Sequence, residues 1–433
     1  MLGSSILLII TIAILIKKPE WLLLLFFTLT ISAINFDLPL GNIRYRPLLA
    51  ILLVARSFFT PGLDTFRMLG NTGMKWIFLF FLYIIMLSWG NDTLKPDIFR
   101  LIMLSVITAY LGCYAYTIRQ NTAILETAIL LSGMICFSDL LYTYKIIGNF
   151  PVQRLYYLFF PNSSILEEIN DTNHNFYGFI CGIGFILLFS RFIWDGDRWS
   201  NYLFLLLPLL FLGVLMSTSR STIFGLIIAS SIILYIGSRN PILSGKVYTT
   251  LGIMGVIIVG ILFLFLSLSS FLDLDYSFIS NITYRLVEEP VAVIRKYMGL
   301  SYNVQNLDAM DWRKESASIA WEAYLRFPIR EQLMGVGIGG YLQRNLGQNG
   351  LNPHNGLLYI LVESGLIGFI MYLYIFIQAI FSGIRSNFSP LFLVLFFILF
   401  YSFGQNEELI SATAMLFIST LIANSSFNLL HNE

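Results

Sequence analysis

The chain has 433 residues, 57% of them hydrophobic and only 12% charged, with a net charge of +1 and a mean hydropathy of +0.76. Soluble domains carry about 25% charged residues, so a water-soluble enzyme is excluded. No basic arm or aromatic-basic array points to nucleic acid.

Apolar runs approach the roughly 20 residues that cross a bilayer, so the chain reads as a polytopic all-α membrane protein whose first partner is the lipid bilayer. In chain order the candidate spans are residues 2–16, 21–35, 48–59, 76–89, 98–118, 123–147, 176–194, 202–216, 221–237 and 247–268. After a long polar interval come 356–381, 391–403 and 409–423. The first run lacks a basic n-region and a small-residue cleavage site, so it is expected to be retained. Cys113, Cys136 and Cys181 all fall inside apolar segments and read as packing residues rather than a disulfide or metal set.

Orientation follows from the later loops. Arg191, Arg198, Arg239, Lys246 and Arg385 share one side if the helices alternate, and positive loops favour the cytoplasm. The outer side then holds residues 145–175, the 217–221 turn, 271–353 and the acidic 404–408 turn. The run at 48–59 is short and interrupted by Arg56. Leaving it out gives about twelve transmembrane helices with both termini inside. The expected organisation is N-terminal transmembrane helices over 1–270, one large periplasmic loop over 271–353, and C-terminal transmembrane helices over 354–433.

That loop is too long for a simple connector. Within 311–327, Trp312, Ile319, Ala320, Ala323, Tyr324 and Phe327 recur at helical spacing. Arg313, Lys314, Glu315 and Glu322 take the other positions. Such an amphipathic helix is expected at the membrane surface or over a cavity. The run Gly335-Val336-Gly337-Ile338-Gly339-Gly340 mimics a nucleotide loop, but it follows no predicted strand. It is expected to be a flexible or sharply turned stretch.

The stretch Asn352-Pro353-His354-Asn355-Gly356 joins the loop to an apolar helix. Proline suits the first helical position and Asn352 suits the cap, which would set His354 in the first turn. The positive end of the helix disfavours an imidazolium. A neutral His354 is then either a polar cap or a group able to accept a proton. Arg220, in Ser219-Arg220-Ser221-Thr222, opens another helix from the outside. A cation there stands at the wrong end of the dipole; it is either a snorkelling interfacial arginine or an anion ligand acting with free N–H groups. Arg285 and Arg313 face either solvent or a lipid-phosphate cavity. Glu363 falls on the helix face opposite His354 and about 13 Å deeper. Like Asp139 it needs a buried partner or water, and structural pairing is the expected role. His174, in Asn173-His174-Asn175, repeats the polar-cap pattern. His431 sits in the short tail and is expected to be idle. No compact ligand cluster or H-E-x-x-H pattern marks a metal site.

Taken in order, these pieces resemble the O-antigen ligase/polymerase family of bacterial membrane glycosyltransferases. The resemblance rests on Ser219-Arg220-Ser221-Thr222, then Trp312-Arg313, Trp321-Glu322-Ala323, Pro328 and Gly335-Val336-Gly337. It ends on His354-Asn355 with Leu358, Leu361, Glu363, Gly365, Leu366 and Gly368. It covers roughly 202–374. It implies a multi-helical GT-C-like architecture in the bacterial inner membrane, with the site facing the periplasm. The donor would be an undecaprenyl-diphosphate-linked oligosaccharide and the acceptor a glycan or lipid A-core, with no cofactor, no metal and polysaccharide assembly proteins as partners. His354 would activate or orient the acceptor hydroxyl; Arg220 and Arg313 would bind the diphosphate, with Arg285 in reserve; Asn355, Glu363 and His174 stand in support. A polymerase and a ligase share this pattern, and polymerase is preferred because the N-terminal half shows no ligase-specific feature. A transporter is the competing class, but no symmetric broken helices support it.

Overall fold

Long apolar runs bounded by Pro, Gly and charged residues fold as helices, because in lipid every backbone polar group must be satisfied within its own segment. The computed structural model describes residues 17–32, 43–60, 73–119, 121–147, 174–194, 206–239, 308–344, 355–385, 390–402 and 411–431, with a few positions outside these stretches. The candidate span at 247–268, most of that at 2–16, and the 145–173 loop beyond residue 147 lie outside the described residues.

The first part of the chain forms α1 (Pro19–Ile31), α2 (Tyr45–Phe58), α3 (Met74–Gly90), α4 (Pro96–Arg119) and α5 (Ala123–Ile147). Next come α6 (His174–Trp194), α7 (Leu206–Ser217) and α8 (Arg220–Arg239). The loop contributes α9 (Asp308–Arg326) and the short α10 (Ile329–Met334) and α11 (Gly340–Gln343). The chain closes with α12 (Gly356–Arg385), α13 (Pro390–Ser402) and α14 (Ala412–His431). Five described segments are long and apolar enough to cross a membrane: Pro96–Ile118, Ala123–Thr143, Asn175–Trp194, Arg220–Arg239 and Gly356–Ile384. Five further apolar helices are shorter.

One feature departs from the sequence reading. A two-residue antiparallel ladder, β1 (Asp37–Leu38) with β2 (Ile43–Arg44), interrupts the all-helical pattern. Residues 48–59, set aside as a span, form most of the helix α2, which is not among the candidate membrane spans. Arg56 fits there because its guanidinium donates to the carbonyl oxygen of Phe59 at 3.0 Å, just past the helix end. A cation near a helix C-terminus satisfies the orphan carbonyls of the last turn.

The chain divides into two units, 1–128 with 310–433 and, separately, 129–309. In the first, α4 packs along α14, and α12 packs against α3 and α14. Gly112 of α4 sits against Leu416 and Ser419 of α14 so closely that a Cβ would lie 2.8 and 2.7 Å from their side chains. Small residues drive such approaches in lipid, where dispersion replaces the hydrophobic effect. Trp76 of α3 meets Tyr374 of α12 edge to face at 5.0 Å. In the second unit, α6 packs on α7 and α8, and Cys181 lies against Gly213. The three cysteines are buried and form no disulfide, the packing role expected of them.

Candidate functional site

The mouth of α12 begins three residues later than the cap chemistry of the sequence suggests. The Asn355 side-chain oxygen accepts from the Leu358 N–H at 3.1 Å, and its carbonyl accepts from Tyr359 at 2.8 Å. Asn355 is therefore the N-cap and Gly356 the first helical residue. Pro353 is buried but precedes the helix, so position 354 falls before the cap rather than in the first turn. The asparagine oxygen reaches the third N–H of the helix, which Pro353 at the first helical position would not arrange. His354 itself, like Arg285, lies outside the described residues.

α12 is not one rod. Gly365 breaks it with φ 66° and ψ −176°. From Leu366 to Arg385 the helix is about 30 Å long at 1.5 Å per residue, one hydrocarbon thickness. The turns above the break carry Glu363, which is fully buried. Its carboxylate accepts from the Gly339 N–H at 2.9 Å and the Tyr341 N–H at 3.4 Å. Its backbone carbonyl accepts from Gly337 at 2.9 Å. The structural pairing expected of Glu363 is thus to backbone amides.

The glycine-rich run is sharply turned and firmly held. Gly335, Gly337 and Gly339 all have positive φ, and the alternate N–H groups of Gly339 and Tyr341 converge on one anion. The anion is the chain's own Glu363. The Ser88 hydroxyl of α3 accepts from the Ile338 N–H at 3.0 Å. Tyr83 donates to the Met334 and Ser364 carbonyls, at 2.6 and 3.0 Å. At Gly335 and Gly365 backbone lies on backbone, with room for no side chain.

This loop carries α9. Ala320 and Tyr324 of α9 are buried in a cluster with Val336, Tyr341 and Val362, so the expected amphipathic helix packs by its expected residues. Burial raises the pKa of the Tyr324 and Tyr341 phenols, which stay neutral as packing rings. Position 313 was expected among the polar positions. It stands seven and eleven residues before Ala320 and Tyr324, so at 100° per residue it falls within about 20° of their line. Its side chain lies outside the described residues. Lys314, Glu315 and Glu322 are exposed, as expected.

Arg220 lies in the second unit and starts α8. The Ser219 hydroxyl oxygen accepts from the Thr222 N–H at 3.4 Å and from the Thr222 hydroxyl at 2.8 Å, which makes Ser219 the N-cap and Arg220 the first helical residue. Arg220 is half-buried. Thr218, before the cap, is only 2% exposed and has φ 48°. A β-branched residue at positive φ is a real outlier. Its buried hydroxyl has no hydrogen-bond partner among the described residues. Gly178 of α6 faces this turn and touches Ser217. The sequence reading missed Thr218, since nothing in residue type or spacing signals a strained threonine.

His174 opens α6 and His431 ends α14, but neither side chain is described. Asp139 is buried in α5. Of the sequence candidates, the structure ties Asn355 and Glu363 to the mouth of α12 and sets position 313 on the helix that the same loop holds.

A set of apolar helices of spanning length, with a separate helical loop latched to the mouth of one of them, defines a multi-pass membrane protein. Residues 203–373 match the family model described as O-antigen ligase. Over that stretch the chain is similar to the O-antigen ligase family, a family of glycosyltransferase-like enzymes. No curated protein matches the chain.

Proposed function

We propose that this protein is a surface-polysaccharide polymerase of the inner membrane. It moves a glycan from undecaprenyl diphosphate to a hydroxyl of a second glycan at the periplasmic face. The family match over 203–373, which takes in Arg220, the whole of α9 and the mouth of α12, supports glycan transfer, and the choice of polymerase rests on an N-terminal half without a ligase-specific feature. In the reaction the acceptor oxygen attacks the anomeric carbon, and the bond from that carbon to the diphosphate oxygen breaks. Undecaprenyl diphosphate leaves as an anion, and the hydroxyl proton passes to the His354 imidazole. Arg220 and Arg313 hold the departing charge, with Arg285 as the alternative second arginine. Side-chain cations suffice for that charge, so the reaction runs without a metal. Twelve spans, a cytoplasmic C-terminus and a periplasmic 271–353 loop complete the proposal.

Two experiments test it. In a deletion strain, a polymerase predicts single repeat units in place of long chains. Free lipid-linked polymer beside a bare core would instead make the protein a ligase moving glycan to lipid A-core; accumulation on the cytoplasmic side would make it a flippase. With purified protein, His354→Ala is expected to lower turnover by about 10²–10⁴-fold, the usual worth of a general base, while undecaprenyl diphosphate still binds and His174→Ala remains mild. Wild-type turnover in His354→Ala would reduce His354 to a polar cap.

A further inference from the structure

We propose that Glu363 is a positioning residue that sets α9, the helix that bears Arg313, against α12, the helix that follows His354 in the chain. The inference rests on the roles given above to Arg313 and His354. Its basis is geometric. Glu363 belongs to α12, yet its carboxylate accepts from Gly339 and Tyr341, and its carbonyl accepts from Gly337. One residue of the membrane helix thus takes three alternate amides of the segment that runs from the end of α10 into α11. The cluster that buries Ala320 and Tyr324 uses Val336 and Tyr341 from this same segment and Val362 from beside Glu363. The bonds from Ser88 and Tyr83 of α3 hold the segment from the other side. Loosening the carboxylate releases the registry of α9 against α12. A misplacement of about 1 Å costs on the order of 10²-fold in rate.

The test uses the full-length protein in nanodiscs. Glu363→Gln keeps the shape, but its amide presents an NH2 toward backbone donors, so one bond is lost. Cysteines placed at Ser318 on α9 and Ile367 on α12, both exposed, carry nitroxides; the three native cysteines are buried. Double electron–electron resonance reads the distance between them. Turnover uses the native lipid-linked glycan extracted from the deletion strain, and binding uses undecaprenyl diphosphate. Glu363→Gln is expected to widen the distance distribution and lower kcat about 100-fold, with wild-type binding stoichiometry. Ser88→Ala, a smaller change to the same loop, is expected to do both to a lesser degree. An unchanged distribution, an unchanged kcat beside a widened one, or kcat falling only in proportion to binding sites would overturn the proposal. Arg313→Lys and His354→Ala run in parallel. Wild-type turnover in both would remove the reading of those residues, an outcome distinct from any result at Glu363.

Discussion

Gly365→Ala concentrates the packing argument in one methyl group. In this position a Cβ would lie 2.3 Å from the Gly335 nitrogen, 2.4 Å from the Met334 carbonyl carbon and 2.5 Å from the Leu333 oxygen. These are backbone atoms, so no flexible side chain can swing aside. The dihedrals, φ 66° and ψ −176°, fall in a region that is nearly glycine's alone and costs about 1–3 kcal/mol for other residues. Overpacking adds about 1–3 kcal/mol, giving a total of about 2–6 kcal/mol. For a unit of this size each kcal/mol moves the midpoint by about 2–4 °C, so a fall on the order of 10 °C is expected. The assay is thermal unfolding of purified protein in one detergent, with Gly368→Ala as a second helical glycine and Gly335→Ala as the opposing half of the contact. Because Gly335 and Gly365 share one contact, the double variant should cost less than the sum of the singles. A Gly365→Ala protein that melts within a degree or two of wild type would refute the kinked, backbone-to-backbone arrangement.

Arg220→Lys keeps the charge but loses the planar fork that matches a diphosphate; most transfer activity should vanish at equal protein level, and near-normal glycan assembly would return Arg220 to a snorkelling role. Thr218→Gly relieves a left-handed strain of roughly 1–2 kcal/mol and removes an unpartnered buried hydroxyl. It should melt higher than wild type yet transfer more slowly, and a lower melting point would mean that Thr218 is not strained. Cysteines at Gly237 and Ser386 should resist an impermeant thiol reagent in cells whose outer membrane is permeable, whereas those at Gln305 and Gln405 should react; the reverse pattern would invert the topology.

Hydropathy made most helices legible, and α5 runs over the residues expected of it. Length decided this, since a run of 20 or more apolar residues has few other solutions. The amphipathic spacing found α9 for the same reason. Boundaries set by side-chain hydrogen bonds were less readable. Pro353 fits a first helical position on its own chemistry, but the competing cap of Asn355 prevails because its oxygen reaches the Leu358 N–H. The partner of Glu363 was hidden because it is backbone amide presented by glycines 24 residues away, which no residue type marks. The β1–β2 ladder is two residues long on each side, too short to leave an alternating pattern.

The make-up of the two units has a consequence for synthesis. Residues 129–309 form a contiguous stretch, so its helices can begin to pair as soon as they leave the translocation machinery. The other unit joins 1–128 to 310–433. Its α4 is laid down early, whereas α14, the neighbour of Gly112, arrives late. At about 10 residues per second the interval 129–309 alone takes on the order of 20 s. Through that time the small-residue face of α4 waits in lipid without its native neighbour, so a ribosome stalled past residue 309 leaves one unit able to mature and the other open to capture by insertases and quality-control proteases.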